Sequence, residues 1–337
     1  MSARGHSVAI AAPREARIYE AALKRGLHAQ ALRIARKDLG GVLAVRRWLQ
    51  AHPVDVINSH SSTDSWLAAL ACATLARAPA LVRTRHISAS IPNNLPTRWL
   101  YRNATRHIVT TGENLRMQLV RDNRIPPERI TSVPTGIDAA RFIPGARDAA
   151  RRSTGLPSER RLIGIVATLR SWKGHRYLIE AVHRLPGDVG LVIVGDGPQR
   201  RNIESKIREL GLVERTWLVG NQDNVLPWLQ SLDVFALPSY ANEGVPQALV
   251  QAMLCALPCV TTAAGSIGEI ARDGATAIVV RTEDAADLKR GLEQALGDAK
   301  LCERLGAAAR QTCAASLGVE TMLDRMERVF RGACLAD

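Results

Sequence analysis

Short apolar runs alternate with amphipathic stretches along the whole chain. In the first half, SVAIAAP, the stretch near Ala29–Ile34, VDVINSH, ALVRTRH, RHIVTTG and RITSVPTG read as strands. EARIYEAALKRG, a run ending near Leu49, STDSWLAALACATLAR, TRWLYRNA and ENLRMQLVRDN read as the helices between them. A Ser/Thr/Asp cluster opens the third and suits an N-cap. The segment Ile137–Arg161 is polar and holds Pro144, Gly145, Gly155 and Pro157; the pattern restarts after it. RLIGIVATL, VGLVIVGDG, WLVG, VFALPS, PCVTT and ATAIVV are the strands of the second half. GHRYLIEAVHRL, QRRNIESKIRELG, VLPWLQSL, PQALVQAMLCA and the run from Asp284 onward are its helices. Such alternation predicts parallel, doubly wound sheets. The chain reads as α/β with two Rossmann-like domains: residues 1–140, a linker at 141–160, residues 161–315, and a C-terminal helix at 316–337 that returns to the first domain.

The 337 residues suffice for two domains of ordinary size, and 46% apolar content supports packed cores. Residues 1–140 hold 20 Lys/Arg against 9 Asp/Glu, a balance of +11, and the remainder holds 25 against 23, a balance of +2. The basicity therefore belongs to the first half. It suggests an anionic partner: a membrane surface, a phosphorylated glycolipid or nucleic acid. Simple solubility is the plain alternative. Aromatic content of 4% and the lack of a helix-turn-helix or aromatic-basic module argue against nucleic acid. The six Cys have neither CxxC nor zinc spacing, which fits reduced thiols in a cytosolic protein. No apolar run reaches membrane-spanning length and no signal peptide is visible. The expected location is the cytoplasm, with membrane contact limited to the inner face of the plasma membrane.

From Phe235 to Thr262 the chain reads strand, loop, helix, strand. Glu243-Gly244-Val245-Pro246 sits where the loop becomes the helix. Glycine permits close backbone approach, and proline fits the first helical turn. The exposed amides and positive dipole end there suit a phosphate. A carboxylate beside such a site serves a sugar hydroxyl or a developing cation instead. On local sequence alone, a turn in any doubly wound domain reads the same way. VGDGP is not a dinucleotide fingerprint, because Arg200 stands where GxGxxG needs its last Gly; a nicotinamide cofactor is disfavoured.

Five motifs in order, RTRHIS, PTGID…RF, VATLRSWKG, VGDGP and PSYANEGVPQALVQAM…PCVTT, make nearly the whole chain resemble glycosyltransferase family 4. The resemblance implies the GT-B fold, with a cleft between two Rossmann-like domains. It implies transfer of a sugar from a nucleotide-sugar to an acceptor with retention of anomeric configuration. The donor would sit on the second domain and the acceptor mainly on the first. Three departures stand out. The strand, Gly-rich loop and helix that the resemblance implies ahead of RGHSVAIAAP are missing, so a start set too far downstream or a truncated chain is expected, with unpaired backbone and an exposed apolar edge. Gln251 replaces the second Glu of the family's Glu-x7-Glu signature, whose first Glu is Glu243. Ala167-Thr168 replaces the family's Gly-Arg, and Arg170 is expected to supply the missing guanidinium.

Breaking a sugar–phosphate bond develops positive charge at the anomeric carbon and negative charge on the diphosphate. A metal, or fixed cations and amides, stabilises the latter. No Asp-x-Asp motif occurs, so neither metal nor cofactor is expected and cations carry the task. Lys173 and Arg170 follow a predicted strand end, where doubly wound sheets bind ligands. Alone, Lys173 reads as a solvated loop lysine. The amides near Gly244 and Val245 add to the donor site, and Gly195 and Gly197 permit a tight turn after a strand. The resemblance gives Gln251 the ribose and Glu243 and His86 the donor sugar. A helix-capping carboxylate and a structural histidine are the alternatives. His60, Ser61, Arg83 and Arg85 are acceptor-side candidates. A helix cap explains Ser61 and Asp64 equally well. Alternation aims Arg83 and Arg85 together, opposite Thr84 and His86. No carboxylate stands out as a nucleophile, so by family analogy the reaction is front-face displacement. The function read from sequence is a retaining, metal-independent hexosyl- or related transferase of envelope lipopolysaccharide or polysaccharide synthesis. The alternative is a degenerate protein that binds nucleotide-sugar, or a partner, without turnover.

Overall fold

Val189–Val194 and Val234–Leu237 carry no charge, and every residue in them is buried. Such runs are what a parallel sheet covered on both faces requires. The computed structural model describes residues 1–86 and 89–335; Ile87 and Ser88 of the RTRHIS motif and Ala336 and Asp337 of the C-terminal segment lie outside the described residues. The chain divides into two units, Met1–Val133 with Met322–Asp337, and Pro134–Thr321.

In the first unit the order is β1 (Ala9–Ala12), α1 (Arg17–Lys24), β2 (His28–Ala31), α2 (Leu39–Ala51), β3 (Val56–Ser59), α3 (Ser62–Cys72), β4 (Ala80–Arg85), α4 (Leu95–Trp99), β5 (His107–Thr110), α5 (Glu113–Asn123) and β6 (Ile130–Ser132). The strands form two parallel sheets, β1-β2 and β3-β4-β5-β6. On one face of the larger sheet Leu81 and Ile108 pack with Leu115 and Leu119 of α5 and with Leu100. The stretch TRWLYRNA is not one regular helix: α4 passes into a π-helical turn at Leu100–Ala104. Arg129 closes that turn by donating to the carbonyls of Arg102, Thr105 and Arg106. This satisfies acceptors that a helix end leaves open.

The second unit contains α6 (Arg147–Thr154), β7 (Arg161–Val166), α7 (His175–His183), β8 (Val189–Val194), α8 (Arg200–Glu209), β9 (Thr216–Gly220), α9 (Leu226–Gln230), β10 (Val234–Leu237), α10 (Gln247–Leu254), β11 (Cys259–Thr261), β12 (Ile278–Val279), α11 (Ala285–Gly297) and α12 (Ala299–Ser316). Its parallel sheet runs β12-β11-β10-β7-β8-β9. The chain adds β8 and β9 on one side of β7 and then returns to lay β10 on the other side. Residues 141–160, read from sequence as a linker, carry α6 and are anchored to this unit. The buried Arg151 donates to Asp233 at 2.7 Å, and Asp233 also accepts from the amide of Leu162.

The last helix, α13 (Val319–Leu335), crosses the division at Thr321/Met322. From Met322 onward it belongs to the first unit. There Val329 and Ala333 pack with Val82, Val109 and Val133 on the second face of the larger sheet.

Candidate functional site

In the second unit β7 and β10 are neighbours, and the chain leaves them toward opposite sides of the sheet. The strand order reverses between them, and the carboxyl ends at such a point are where open α/β sheets bind ligands. The loops leaving β7 and β10 are pressed together here. Gly174 ends the short turn Ser171–Lys173 with φ 76°, and a Cβ there would lie 2.0 Å from the carbonyl oxygen of Pro238. Only glycine has room for that approach. The amide of Tyr240 donates to the carbonyl of Trp172 at 2.9 Å, which ties the loops a second time.

The outcome is a contact between Lys173 and Glu243: Nζ donates to Oε1 at 2.6 Å, with 17% of the lysine side chain exposed and 5% of the glutamate's. The Glu243 backbone is held from behind. Gly265, at φ 59°, has no space for a Cβ, which would stand 2.2 Å from the Glu243 carbonyl oxygen, and the Ser266 amide donates to that oxygen at 3.2 Å. Asn242, just before, takes a left-handed conformation at φ 59°, which Asn tolerates better than most residues. Among the described residues, the helices that start here, α7 after Gly174 and α10 after Pro246, have no side-chain cap. Each N-terminus presents backbone N–H groups and the positive end of its dipole.

The other donor-side candidates fall around this point. Arg170 opens the turn, its guanidinium 5.7 Å from the Trp172 ring. Gly244 and Val245 are buried between Glu243 and α10. Gln251 lies on the second turn of α10, half-buried. Gly195 and Gly197 serve close packing beneath the β7 loop. Added Cβ atoms there would meet the Ala167 carbonyl oxygen at 2.0 Å and that of Leu169 at 2.7 Å. The amide of Leu169 donates to the carbonyl of Asp196 at 3.0 Å, so the loops after β7 and β8 interlock.

In the first unit, Nδ1 of His60 and Nε2 of His86 are 3.0 Å apart, and the rings stack at 5.3 Å between centroids. They follow the adjacent strands β3 and β4. One ring must donate and the other accept. Burial pulls both rings below the ordinary histidine value, and Asp64 opposes that with its charge. Ser61 and Asp64 form a capping box on α3, in which the Ser61 hydroxyl accepts from the Asp64 amide and Asp64 accepts from the Ser61 amide. Arg83 and Arg85 point the same way, as strand alternation requires, and both reach Tyr101. The Arg83 guanidinium lies 4.4 Å from the ring centroid, and Arg85 donates to the hydroxyl at 2.7 Å. Thr84, on the other side of the strand, donates to Asn58. Ser61 is thus engaged in a cap, and Arg83 and Arg85 are buried within the unit.

Sequence reasoning passed over His175 and Tyr101. His175 directly follows Lys173-Gly174 and is buried; its pKa is pulled down to about 4, by burial first and by the Lys173 charge second. Its adjacency to the Lys-Gly pair was the available signal. Tyr101 gave none, because its role depends on Arg83 and Arg85 from a distant strand. Among the described residues no group of three or more His, Cys, Asp or Glu is placed to hold a metal ion.

Comparison with known proteins bears on the fold and the family. The family description "Glycosyl transferases group 1" matches residues 146–312, and "Glycosyltransferase Family 4" matches residues 1–141. A D-inositol 3-phosphate glycosyltransferase of Mycolicibacterium vanbaalenii is 30% identical over 281 residues, covering 73% of this chain and 60% of that protein. The chain thus spans about three fifths of the length of that curated relative. Among solved structures, a glycosyltransferase from Rickettsia africae superposes with a TM-score of 0.87 at 18% identity, covering 100% of this chain and 92% of that one. HepE from Anabaena, in complex with UDP and glucose, superposes with a TM-score of 0.85 at 18% identity, covering 96% and 91%. The structural likenesses establish the fold, and the two family descriptions together run through both units. The chain has the GT-B fold and is related to the group 1 and family 4 glycosyltransferases.

Proposed function

We propose that this chain is a retaining glycosyltransferase that moves a sugar from a nucleotide-sugar to an envelope glycolipid or polysaccharide, without a metal. The observation that carries the reading is the Lys173–Glu243 pair, set between two uncapped helix N-termini where the strand order of the second unit reverses. The donor diphosphate takes the place of Glu243 as the partner of Lys173, with Arg170 and the amides opening α7 and α10 beside it. Glu243, released from the lysine, faces the sugar as its anomeric carbon gains positive charge. In the proposed step the acceptor oxygen bonds to that carbon as its bond to the diphosphate breaks. The acceptor proton passes to a leaving phosphate oxygen. Fixed cations and amides aimed at developing charge need no reorganisation at the moment of reaction, which is why such groups accelerate it. In the first unit, His60 and His86 are the polar pair proposed to meet a sugar hydroxyl.

The likeness to HepE, described with UDP and with glucose, supports a uridine nucleotide-sugar as the first donor to try. The same proposal locates the chain in the cytoplasm, peripheral to the inner face of the plasma membrane, on the strength of its basic first half. The test is a panel of nucleotide-sugars in titration calorimetry, with release of free nucleotide measured in parallel. Binding and turnover support the transferase. Binding without turnover supports the second reading, a nucleotide-sugar-binding protein, which Gln251 favours by offering an amide where a carboxylate would hold ribose hydroxyls more strongly. No binding to any donor overturns both.

A further inference from the structure

The first unit carries a groove of about 1850 Å³ at the end of its larger sheet opposite His60 and His86. The segments that lead into β3, β4, β5 and β6 line it on one side and α13 on the other. Six arginines reach it: Arg77, Arg102, Arg106, Arg129, Arg325 and Arg328. The groove's carboxylates are Asp55 and Glu128, and among the described residues none of the six arginines forms an ion pair. Arg102 and Arg129 spend their donors on backbone carbonyls. Arg77, Arg106 and Arg328 are exposed, and Arg328 donates to the carbonyl of Asp324 on its own helix. Burial disfavours the charge on Arg129, and the nearby Arg106 adds to this. A concave surface that gathers one sign of charge focuses its field on a ligand of the other sign. Guanidinium groups match phosphate by geometry as well as charge.

The wall between the arginines carries apolar surface among its polar groups. Val54, Cys72 and Leu75 line it half-buried, beside Leu49 and Val329. A free phosphate has no use for that wall. A nucleic acid strand would want aromatic faces, and no Phe, Trp or Tyr lines the groove. An anion with an apolar body fits both features. We propose that the groove binds an anionic lipid, its arginines on the headgroup phosphate and its apolar wall against the upper chain, so that this face of the first unit meets the membrane. The proposal deepens the peripheral location given above and is independent of transfer activity.

The test is co-sedimentation of the full chain with vesicles of phosphatidylglycerol and phosphatidylcholine, and of phosphatidylcholine alone. Two triple variants lose the same charge. Arg77→Gln/Arg106→Gln/Arg328→Gln removes the three exposed arginines of the groove, and Arg152→Gln/Arg201→Gln/Arg208→Gln removes exposed arginines of the second unit. Thermal melts confirm that both fold. The groove variant is expected to need at least about tenfold more anionic lipid for half-binding, given the contribution of each basic residue near such a surface. The control and a lysine version of the groove variant should bind as the wild type does. Equal losses in the groove variant and the control would overturn the groove while leaving the location standing. Wild type that ignores anionic vesicles overturns the groove and the location together. Wild type that binds soluble polyphosphate but not vesicles overturns the lipid in favour of a soluble anion.

Discussion

Lys173 Nζ donates to Glu243 Oε1 at 2.6 Å across 70 residues of sequence. The two groups with opposite tasks in the proposed reaction neutralise each other while the donor is absent. Leaving a lone charge in so enclosed a place would be costly, and the pair avoids it. A diphosphate must therefore compete with Glu243 for the lysine.

That competition separates the two residues experimentally. Glu243→Gln should lower turnover at least about tenfold, because a charge aimed at the transition state is lost. The same change should leave nucleoside diphosphate affinity equal or tighter, since Lys173 no longer has an anionic partner. Lys173→Ala should lose both turnover and nucleotide affinity. Calorimetry and a nucleotide-release assay measure the two quantities, and weaker nucleotide binding in Glu243→Gln would contradict the competition.

Gly174 is the position where the site depends on the absence of a side chain. Gly174→Ala places a methyl 2.0 Å from the Pro238 carbonyl oxygen at a positive φ. The β7 and β10 loops must separate, and we expect a loss of about 2 kcal/mol or more in stability. Chemical denaturation would show it, together with weaker donor binding. An unchanged midpoint would mean that the loops part freely.

Gln251→Glu tests where ribose sits. The residue is half-buried on α10, with room for a carboxylate of nearly the same shape. Stability should change little, and nucleotide affinity should rise severalfold if ribose hydroxyls lie there, since a charged acceptor strengthens the hydrogen bond. Loss of affinity would show that the position faces a phosphate instead.

His175 makes the second unit sensitive to acid. Its pKa is about 4 in the folded chain against an ordinary value of 6.5. Below pH 6.5 the unfolded chain takes up a proton that the folded chain refuses until about pH 4. Stability from this group is complete above pH 6.5, falls as the pH drops toward 4, and levels off below it. The gap corresponds to roughly 3 kcal/mol. In His175→Phe the loss of melting temperature between neutral and acid pH should shrink. Identical pH profiles would overturn the assignment.

The fold was legible where period and burial coincide. The run ENLRMQLVRDN becomes α5 with the same limits, and VGLVIVGDG and VFALPS become buried strands. The capping of α3 and the common direction of Arg83 and Arg85 were also readable, because both follow from spacing along one element. What those arginines reach was not, since Tyr101 arrives from another segment. Likewise Lys173 and Glu243 could each be named as site candidates, but their pairing depends on how closely two loops approach. That distance is set by Gly174 and Pro238, which no local pattern relates. ATAIVV was read as a full strand, whereas the regular strand is Ile278–Val279 at the sheet edge.

The order in which the sheet of the second unit is laid down has a consequence during synthesis. Translation delivers β7 and Lys173 first, then the strands on one side, and only afterwards β10, Glu243 and the Gly265 loop that steadies it. Until that last loop leaves the ribosome, the lysine has no carboxylate and the proposed donor site is incomplete. A nascent chain should gain donor affinity late and in one step, and a nucleotide-sugar can act as a ligand that rewards only completed copies of this unit.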